Sequence, residues 1–214
     1  VVVSSPYHLN FCKEKNIYSK CTYIPCSLDI NRFVPKLNKK NNKIPVIGWT
    51  GTFSSINYLE TLKEIFIELS TKHKFKILII GNFDYKIDNL DVEVIKWNKK
   101  NEVEDLQKID IGVYPLIENK WALGKGALKA MQYMSVEAAT VATDFGTTKN
   151  VITNKKNGLL VKSKSDWINA LSLLLINPEL RSKIGKAGRK TIIEKYSQHA
   201  NLNKYLEILN INLI

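Results

Sequence analysis

The sequence has few cysteines and no long apolar run, and both scarcities exclude classes of protein. Cys12, Cys21 and Cys26 are odd in number and lack the paired spacing of a zinc site. They predict free thiols in a reducing compartment rather than a disulfide framework. No stretch approaches the ~18 consecutive apolar residues of a membrane span, and the opening VVVSSPYHLN lacks the pattern of a signal peptide. We therefore expect a cytoplasmic protein.

Arginine is also scarce, although the chain is strongly basic. The formal net charge is +12, but arginine occurs only at Arg32, Arg181 and Arg189, so lysine supplies almost all of the positive charge. Recognition of bases and phosphates favours the arginine fork, whereas lysine in asparagine-rich loops is more typical of a solvated surface. The composition argues against specific nucleic-acid binding. It leaves open a basic face that approaches anionic lipid headgroups at the cytoplasmic membrane surface, or a phosphate-bearing acceptor.

What the sequence does contain is a regular alternation of strand and helix patterns. Strand-like apolar runs occur at 45–50, 75–80, 91–96, 110–114 and 140–143, and helical patterns at 58–72, 102–108 and 127–136. This alternation predicts an α/β fold with a Rossmann-like parallel sheet of roughly six strands and helices on both faces. A short strand at 159–161 follows, and then helices at 166–176 with Ser165 as N-cap, from Pro178, and at 198–209.

The segment 36–43 is the best candidate for a domain boundary, because it is rich in lysine and asparagine and has little apolar content. Residues 1–42 contain one strand, a helix and a connector, which cannot close a core alone. We interpret them as the remnant of an N-terminal domain and its linker, and 43–214 as one ligand-binding domain that includes the C-terminal helices. The apolar faces of 1–16 and 198–209 are expected to pack on this domain or on a neighbouring copy.

One glycine-rich segment, WALGKGALKAMQYM, carries the strongest signal of a ligand site. Gly124 and Gly126 punctuate the turn before a predicted helix, whose N-terminal N–H groups and dipole favour a phosphate. Lys125 and Lys129 are four residues apart and are predicted to lie on one face of that helix, beside the same anion. The pattern predicts a nucleotide-sugar site.

A second candidate turn follows the first strand of the predicted sheet. The carboxyl end of a parallel strand is where open α/β sheets bind their ligands. Gly51 is the strongest candidate in this turn, and the hydroxyls of Thr52, Ser54 and Ser55 can hydrogen-bond a phosphate, although either serine alone could instead cap the next helix. Trp97, just after the third strand, is a candidate for lining a base pocket, with packing in the core as the alternative.

Several stretches resemble family-four (group 1) glycosyltransferases of the GT-B fold. They are YIPCSLDINRF, IGWTGTFSSINYL, IDIGVYPL and GKGALKAMQYM, with the DFG turn that ends at Gly146 and the NGLLV run at 157–161. The resemblance covers nearly the whole chain and matches the C-terminal, donor-binding half of such enzymes, so it implies a missing N-terminal domain that holds the acceptor. It also implies that Gly146 and Thr147 contact the nucleotide sugar, and that Gln132 lies where relatives often contact the ribose with a glutamate.

The sequence departs from the family pattern at several positions. Many relatives carry two glutamates eight residues apart, and those positions are Gly124 and Gln132 here. The amide of Gln132 can still hydrogen-bond ribose hydroxyls. Glu137 and Ala139 stand where glycine and proline are usual, and most relatives have a glutamate near Asn150. These departures bear on donor identity and catalytic competence rather than on the fold.

The resemblance implies transfer of a hexosyl or other glycosyl group from a nucleotide diphosphate sugar to a glycan or lipid-linked acceptor, with retention of configuration, in polysaccharide or glycoconjugate biosynthesis. No catalytic residue is assigned. No cofactor or metal is expected, because helix dipoles and lysines can stabilise a diphosphate and no Asp-x-Asp pair lies near the site. The alternatives are a non-catalytic nucleotide-sugar or glycan-binding module, a sugar-nucleotide epimerase of similar fold, and a basic nucleic-acid or membrane-surface binder.

Overall fold

A six-stranded parallel sheet forms the centre of the protein. The computed structural model describes residues 1–15, 21–37 and 44–209. The strands of the sheet are β3 Val46–Thr50, β4 Lys76–Gly81, β5 Val92–Lys96, β6 Ile111–Tyr114, β7 Ala139–Thr143 and β8 Leu159–Val161. They lie in the order β5-β4-β3-β6-β7-β8, and each neighbouring pair is parallel. The predicted Rossmann-like α/β sheet is confirmed.

Helices cover both faces of this sheet and complete two hydrophobic cores, one on each face. The helices are α1 Pro6–Glu14, α2 Ile56–Glu60, α3 Lys63–Ser70, α4 Glu102–Leu106, α5 Lys120–Leu123, α6 Leu128–Ser135, α7 Thr148–Val151, α8 Lys164–Ile176, α9 Pro178–Thr191 and α10 Gln198–Leu209. The central strands are accordingly buried on both sides, as the continuous apolar runs of covered parallel strands require. No helix among the described residues is both long and apolar enough to cross a bilayer.

Two helix predictions need correction. The single helix expected at 58–72 is divided into α2 and α3, and at the division the hydroxyl of Thr61 donates to the carbonyl of Tyr58 at 2.6 Å. The N-cap of α8 is Ser163, not Ser165. Ser163 Oγ accepts the N–H of Asp166 at 3.1 Å, and the Asp166 carboxylate accepts the N–H of Ser163 at 2.9 Å, so the reciprocal cap requires a serine three residues before the aspartate.

The residues before the sheet are fastened to the C-terminal helices. The short strands β1 Val2–Val3 and β2 Thr22–Tyr23 pair in parallel, and the connector that follows hydrogen-bonds at Leu28 to the backbone of Tyr196. The guanidinium of Arg189 donates to the carbonyls of Ile30 and Phe33 in the same connector. The predicted boundary segment 36–43 lies largely outside the described residues, and the division of the chain there stays a prediction.

Candidate functional site

The main site candidate lies where the order of the strands reverses. From β3 the chain moves outward to β4 and β5, and then returns to the other side of β3 with β6. A cavity of about 770 Å³ opens at the carboxyl ends of these strands, the usual ligand position in open α/β sheets. Its lining residues belong mainly to the segments that follow the strands: Trp49, Thr50, Gly51, Thr52, Ser54, Ser55, Tyr58, Asn82, Trp97, Glu102, Tyr114, Pro115, Leu116, Trp121, Lys125 and Lys129.

The turn after β3 forms one wall of the cavity. The N–H of Thr52 donates to Ser55 Oγ at 3.1 Å, and that hydroxyl donates back to the Thr52 carbonyl at 2.9 Å. Ser55 therefore closes the turn at 52–55, and its side chain makes no capping hydrogen bond to α2, contrary to the alternative interpretation. The hydroxyls of Thr52 and Ser54 lie 2.8 Å apart on the exposed side. A β-carbon at Gly51 would lie 2.2 Å from the Trp49 ring, so only glycine fits there.

Lys125 and Lys129 both line the cavity, but they do not share a helix face as predicted. Helix α6 begins at Leu128, after Ala127 in the left-handed conformation with φ 57°, so Lys125 lies in the turn before the helix. Burial lowers the pKa of both lysines below the ordinary lysine value, and at Lys129 the negative charge of Glu102 opposes this shift. The two side chains thus present partly desolvated positive charge to the cavity.

Side chains from the N-terminal part of the chain pack closely against the two glycines of the same turn. A β-carbon at Gly124 would lie 2.8 Å from the His8 ring, and one at Gly126 would lie 2.5 Å from Cys26 Sγ. Neither glycine lines the large cavity, and a phosphate role for their backbone stays a prediction. Gly124 lines a neighbouring cavity of about 350 Å³ together with Tyr7, His8, Lys120, Trp121 and Lys125.

Glu102, which the sequence reasoning missed, lies in the cavity wall and organises the end that also contains Trp97. Its Oε1 accepts hydrogen bonds from Trp97 Nε1 at 3.3 Å and from Gln132 Nε2 at 3.2 Å. Its Oε2 accepts from Arg32 Nη2 at 2.6 Å. Trp97 is 45% exposed, so it is not a core residue. Gln132 is buried behind the carboxylate and does not line the cavity.

Gly146 lies against α5, and neither Gly146 nor Thr147 is among the residues that line the large cavity. Gly146 has the left-handed φ of 58° that favours glycine, and its open side faces the carbonyl of Ala122. Thr147 is 4% exposed, and its hydroxyl has no hydrogen-bond partner among the described residues. Their predicted contact with the ligand stays a prediction. In the described ranges, no group of three or more His, Cys, Asp or Glu side chains could hold a metal ion.

The family model for glycosyl transferases group 1 matches residues 29–191, which include this cavity wall. The chain belongs to that family. No curated protein sequence matches this group 1 chain significantly.

Solved structures share the fold of this group 1 chain at low sequence identity. A glycosyltransferase from Rickettsia africae has a TM-score of 0.79 at 19% identity, over 99% of this chain and 64% of that one. Sucrose-phosphate synthase from Thermosynechococcus elongatus has a TM-score of 0.75 at 16% identity, over 98% and 57% of the two chains. HepE from Anabaena, solved with UDP and glucose, has a TM-score of 0.77 at 12% identity, over 98% and 62%. The group 1 chain thus spans less than two thirds of these three neighbours, and the likeness establishes the fold alone.

Proposed function

We propose that this chain is the donor-binding domain of a glycosyltransferase and that its large cavity holds a nucleotide diphosphate sugar. The observation that carries the proposal is the pair Lys125 and Lys129, both in the wall of a cavity at the strand-order reversal and both with a pKa lowered by burial. A desolvated cation is stabilised by an anionic ligand, and the diphosphate of a nucleotide sugar is such a ligand.

The same groups can assist the reaction. The first N–H groups of α6 have no acceptor within the helix, and they lie beside Lys129 at its positive end. When the bond between the sugar and the diphosphate breaks, negative charge grows on the leaving diphosphate. Fixed cations and N–H dipoles stabilise that charge more than the ground state, which lowers the barrier. The turn at Gly51, with the hydroxyls of Thr52 and Ser54, forms another part of the cavity wall.

The acceptor belongs to the finer part of the proposal. We propose a glycan or lipid-linked hydroxyl, reached with retention of configuration in polysaccharide or glycoconjugate biosynthesis, at a basic cytoplasmic face near anionic lipid. Transfer needs the acceptor hydroxyl held against the anomeric carbon, and this chain spans 57% of the sucrose-phosphate synthase chain and 64% of the Rickettsia glycosyltransferase chain. We therefore expect the 214-residue chain to bind the donor without transferring it.

A non-catalytic nucleotide-sugar binding module is the second candidate. The observation that favours it is the contact between His8 and Gly124. Many relatives have a glutamate at the position of Gly124, and a glutamate there would have to displace the His8 ring of this chain. A product assay distinguishes the two candidates. Transfer by the complete gene product supports the enzyme, whereas binding without any turnover by the complete gene product supports the module.

Calorimetry with UDP, ADP and GDP tests the donor site itself. At least one nucleotide should bind, and Lys125→Ala with Lys129→Ala should weaken it by about 1–3 kcal/mol through lost charge-assisted hydrogen bonds. The matched control is Lys72→Ala with Lys74→Ala, which removes the same charge from exposed positions just before β4. Equal loss in both double variants would indicate nonspecific attraction of polyanions and would refute the proposed site.

A further inference from the structure

Glu102 is the one acidic side chain among the residues that line the large cavity in the described part of the chain. It is buried, with 11% of its side chain exposed, and it is held from three directions. Arg32 reaches it from the connector, Trp97 from the end of β5, and Gln132 from inside α6. Three separate segments therefore fix one carboxylate at the wall of the cavity.

The carboxylate shares the cavity wall with an aromatic ring and a cation. Trp97 Nε1 donates a hydrogen bond to it at 3.3 Å, and its negative charge acts on Lys129. The wall thus presents an aromatic surface, a hydrogen-bond acceptor and a cation. A nucleoside diphosphate carries the three matching groups: a flat base that packs on aromatic rings, a ribose that donates hydroxyl hydrogen bonds, and an anionic diphosphate.

The hydrogen-bond capacity of Glu102 leaves room for a ligand. An ionised carboxylate accepts about four hydrogen bonds, and Arg32, Trp97 and Gln132 supply three. Arg32 also balances the charge, so the carboxylate does not repel a nearby diphosphate without compensation. Gln132 supplies an amide donor 3.2 Å from Oε1, where a second carboxylate would instead repel Glu102.

We propose that Glu102 binds a ribose hydroxyl of the donor nucleotide, with Gln132 and Arg32 as the residues that position its carboxylate. This assignment rests on the proposed donor site. It makes Glu102 a determinant of ribonucleotide over deoxyribonucleotide binding. It also gives the buried Gln132 a supporting role in place of the direct ribose contact predicted from the sequence.

The test compares the affinities for two nucleotides in each variant. Calorimetry measures binding of whichever of UDP, ADP and GDP binds the unaltered chain, and of its 2′,3′-dideoxy form. The ribose form should bind the unaltered chain on the order of tenfold more tightly, the effect of one charge-assisted hydrogen bond. Glu102→Gln, which preserves shape, and Glu102→Ala should reduce this ratio towards one. Glu104→Gln, an exposed change in the same helix, should leave it unchanged.

The ratio distinguishes binding from a purely structural role. If Glu102 only fastens the connector through Arg32, its variants will weaken both nucleotides equally, and the unchanged ratio overturns the proposal. Gln132→Leu should lower the ratio by a smaller factor, because it removes the donor that orients the carboxylate. If the carboxylate instead binds the hexose, the variants will weaken the sugar nucleotide without changing the ratio, which also overturns it. Failure of all three nucleotides to bind the unaltered chain would refute the donor site as well.

Discussion

At the scale of single residues, the two cavity lysines determine how nucleotide binding should depend on pH. Burial lowers the pKa of Lys125 and of Lys129 in the ligand-free chain. As pH rises through these lowered values, the free site loses its protons and the attraction for a diphosphate weakens. The bound anion stabilises the charged lysines, so binding above their pKa values takes up protons.

We predict that nucleotide affinity falls as pH rises from neutrality towards the ordinary lysine pKa, because burial places the loss of the lysine charges below that ordinary value. Calorimetry in two buffers of different ionisation enthalpy measures the proton uptake. The double lysine-to-alanine variant should bind weakly at every pH in this range and show no such uptake. An affinity in the unaltered chain that stays constant to the alkaline limit, without proton uptake, would contradict the assignment.

The same pKa shifts make folding stability change with pH in the direction opposite to nucleotide affinity. A lysine whose pKa is lowered by folding binds more protons in the unfolded chain than in the folded chain between its two pKa values. Folding stability therefore rises with pH through that window, while nucleotide affinity falls. Measuring urea unfolding and nucleotide binding on one set of samples separates the two effects.

The residue scale also shows where sequence reasoning succeeds and where it fails. Lys125 was found because its charge, two glycines and a helix start lie within a few positions. Glu102 was missed because its partners Arg32 and Gln132 are 70 and 30 residues away in the sequence. Apart from its partner Trp97, five residues before it, its only local feature was its place in the first turn of a helix, where acidic residues are common.

At the scale of elements, the contact between α9 and the turn after α6 makes one glycine indispensable. A β-carbon at Gly185 would lie 2.1 Å from the carbonyl oxygen of Glu137, which is backbone and cannot rotate away. Glu137 itself has a φ of 61°, the left-handed conformation that explains why relatives often have glycine there. The close approach of Gly185 and the left-handed backbone of Glu137 thus both constrain the geometry of this turn.

We predict that Gly185→Ala destabilises the protein although alanine is the better helix former. Helix propensity favours alanine by about 1 kcal/mol, whereas the collision requires a backbone shift that costs about 1–3 kcal/mol or more. Gly188→Ala is the control in the same helix, because its β-carbon would meet Asn157 O at a more tolerable 3.2 Å. Chemical denaturation should rank Gly185→Ala below Gly188→Ala. The reverse order would contradict the packing of α9 described here.

Element boundaries were predictable only where the signal was local. The strands and the order of the elements followed from apolar periodicity, because covered parallel strands need continuous apolar runs. The break between α2 and α3 was missed because apolar residues continue through it at helical spacing. The cap of α8 was misplaced by two residues, since Ser163 and Ser165 both precede Asp166 and only the three-residue spacing completes the reciprocal cap.

At the scale of the whole molecule, family membership and sheet topology point to the same candidate site. The group 1 match covers residues 29–191, and the reversal of strand order locates the cavity within them. Sequence reasoning reached the family and the fold because many short motifs occur in the right order along the chain. It did not show that residues before β3 approach the site, since the contacts of His8 with Gly124 and of Arg32 with Glu102 depend on folding.

A crystal structure of the chain with a bound nucleotide diphosphate tests the central claim most directly. The account predicts the diphosphate in the 770 Å³ cavity, with its oxygens within hydrogen-bond distance of Lys125 or Lys129 and the base towards Trp97. A nucleotide bound elsewhere on the basic surface, or a cavity that stays empty at saturating nucleotide, would contradict the claim that this cavity is a donor site.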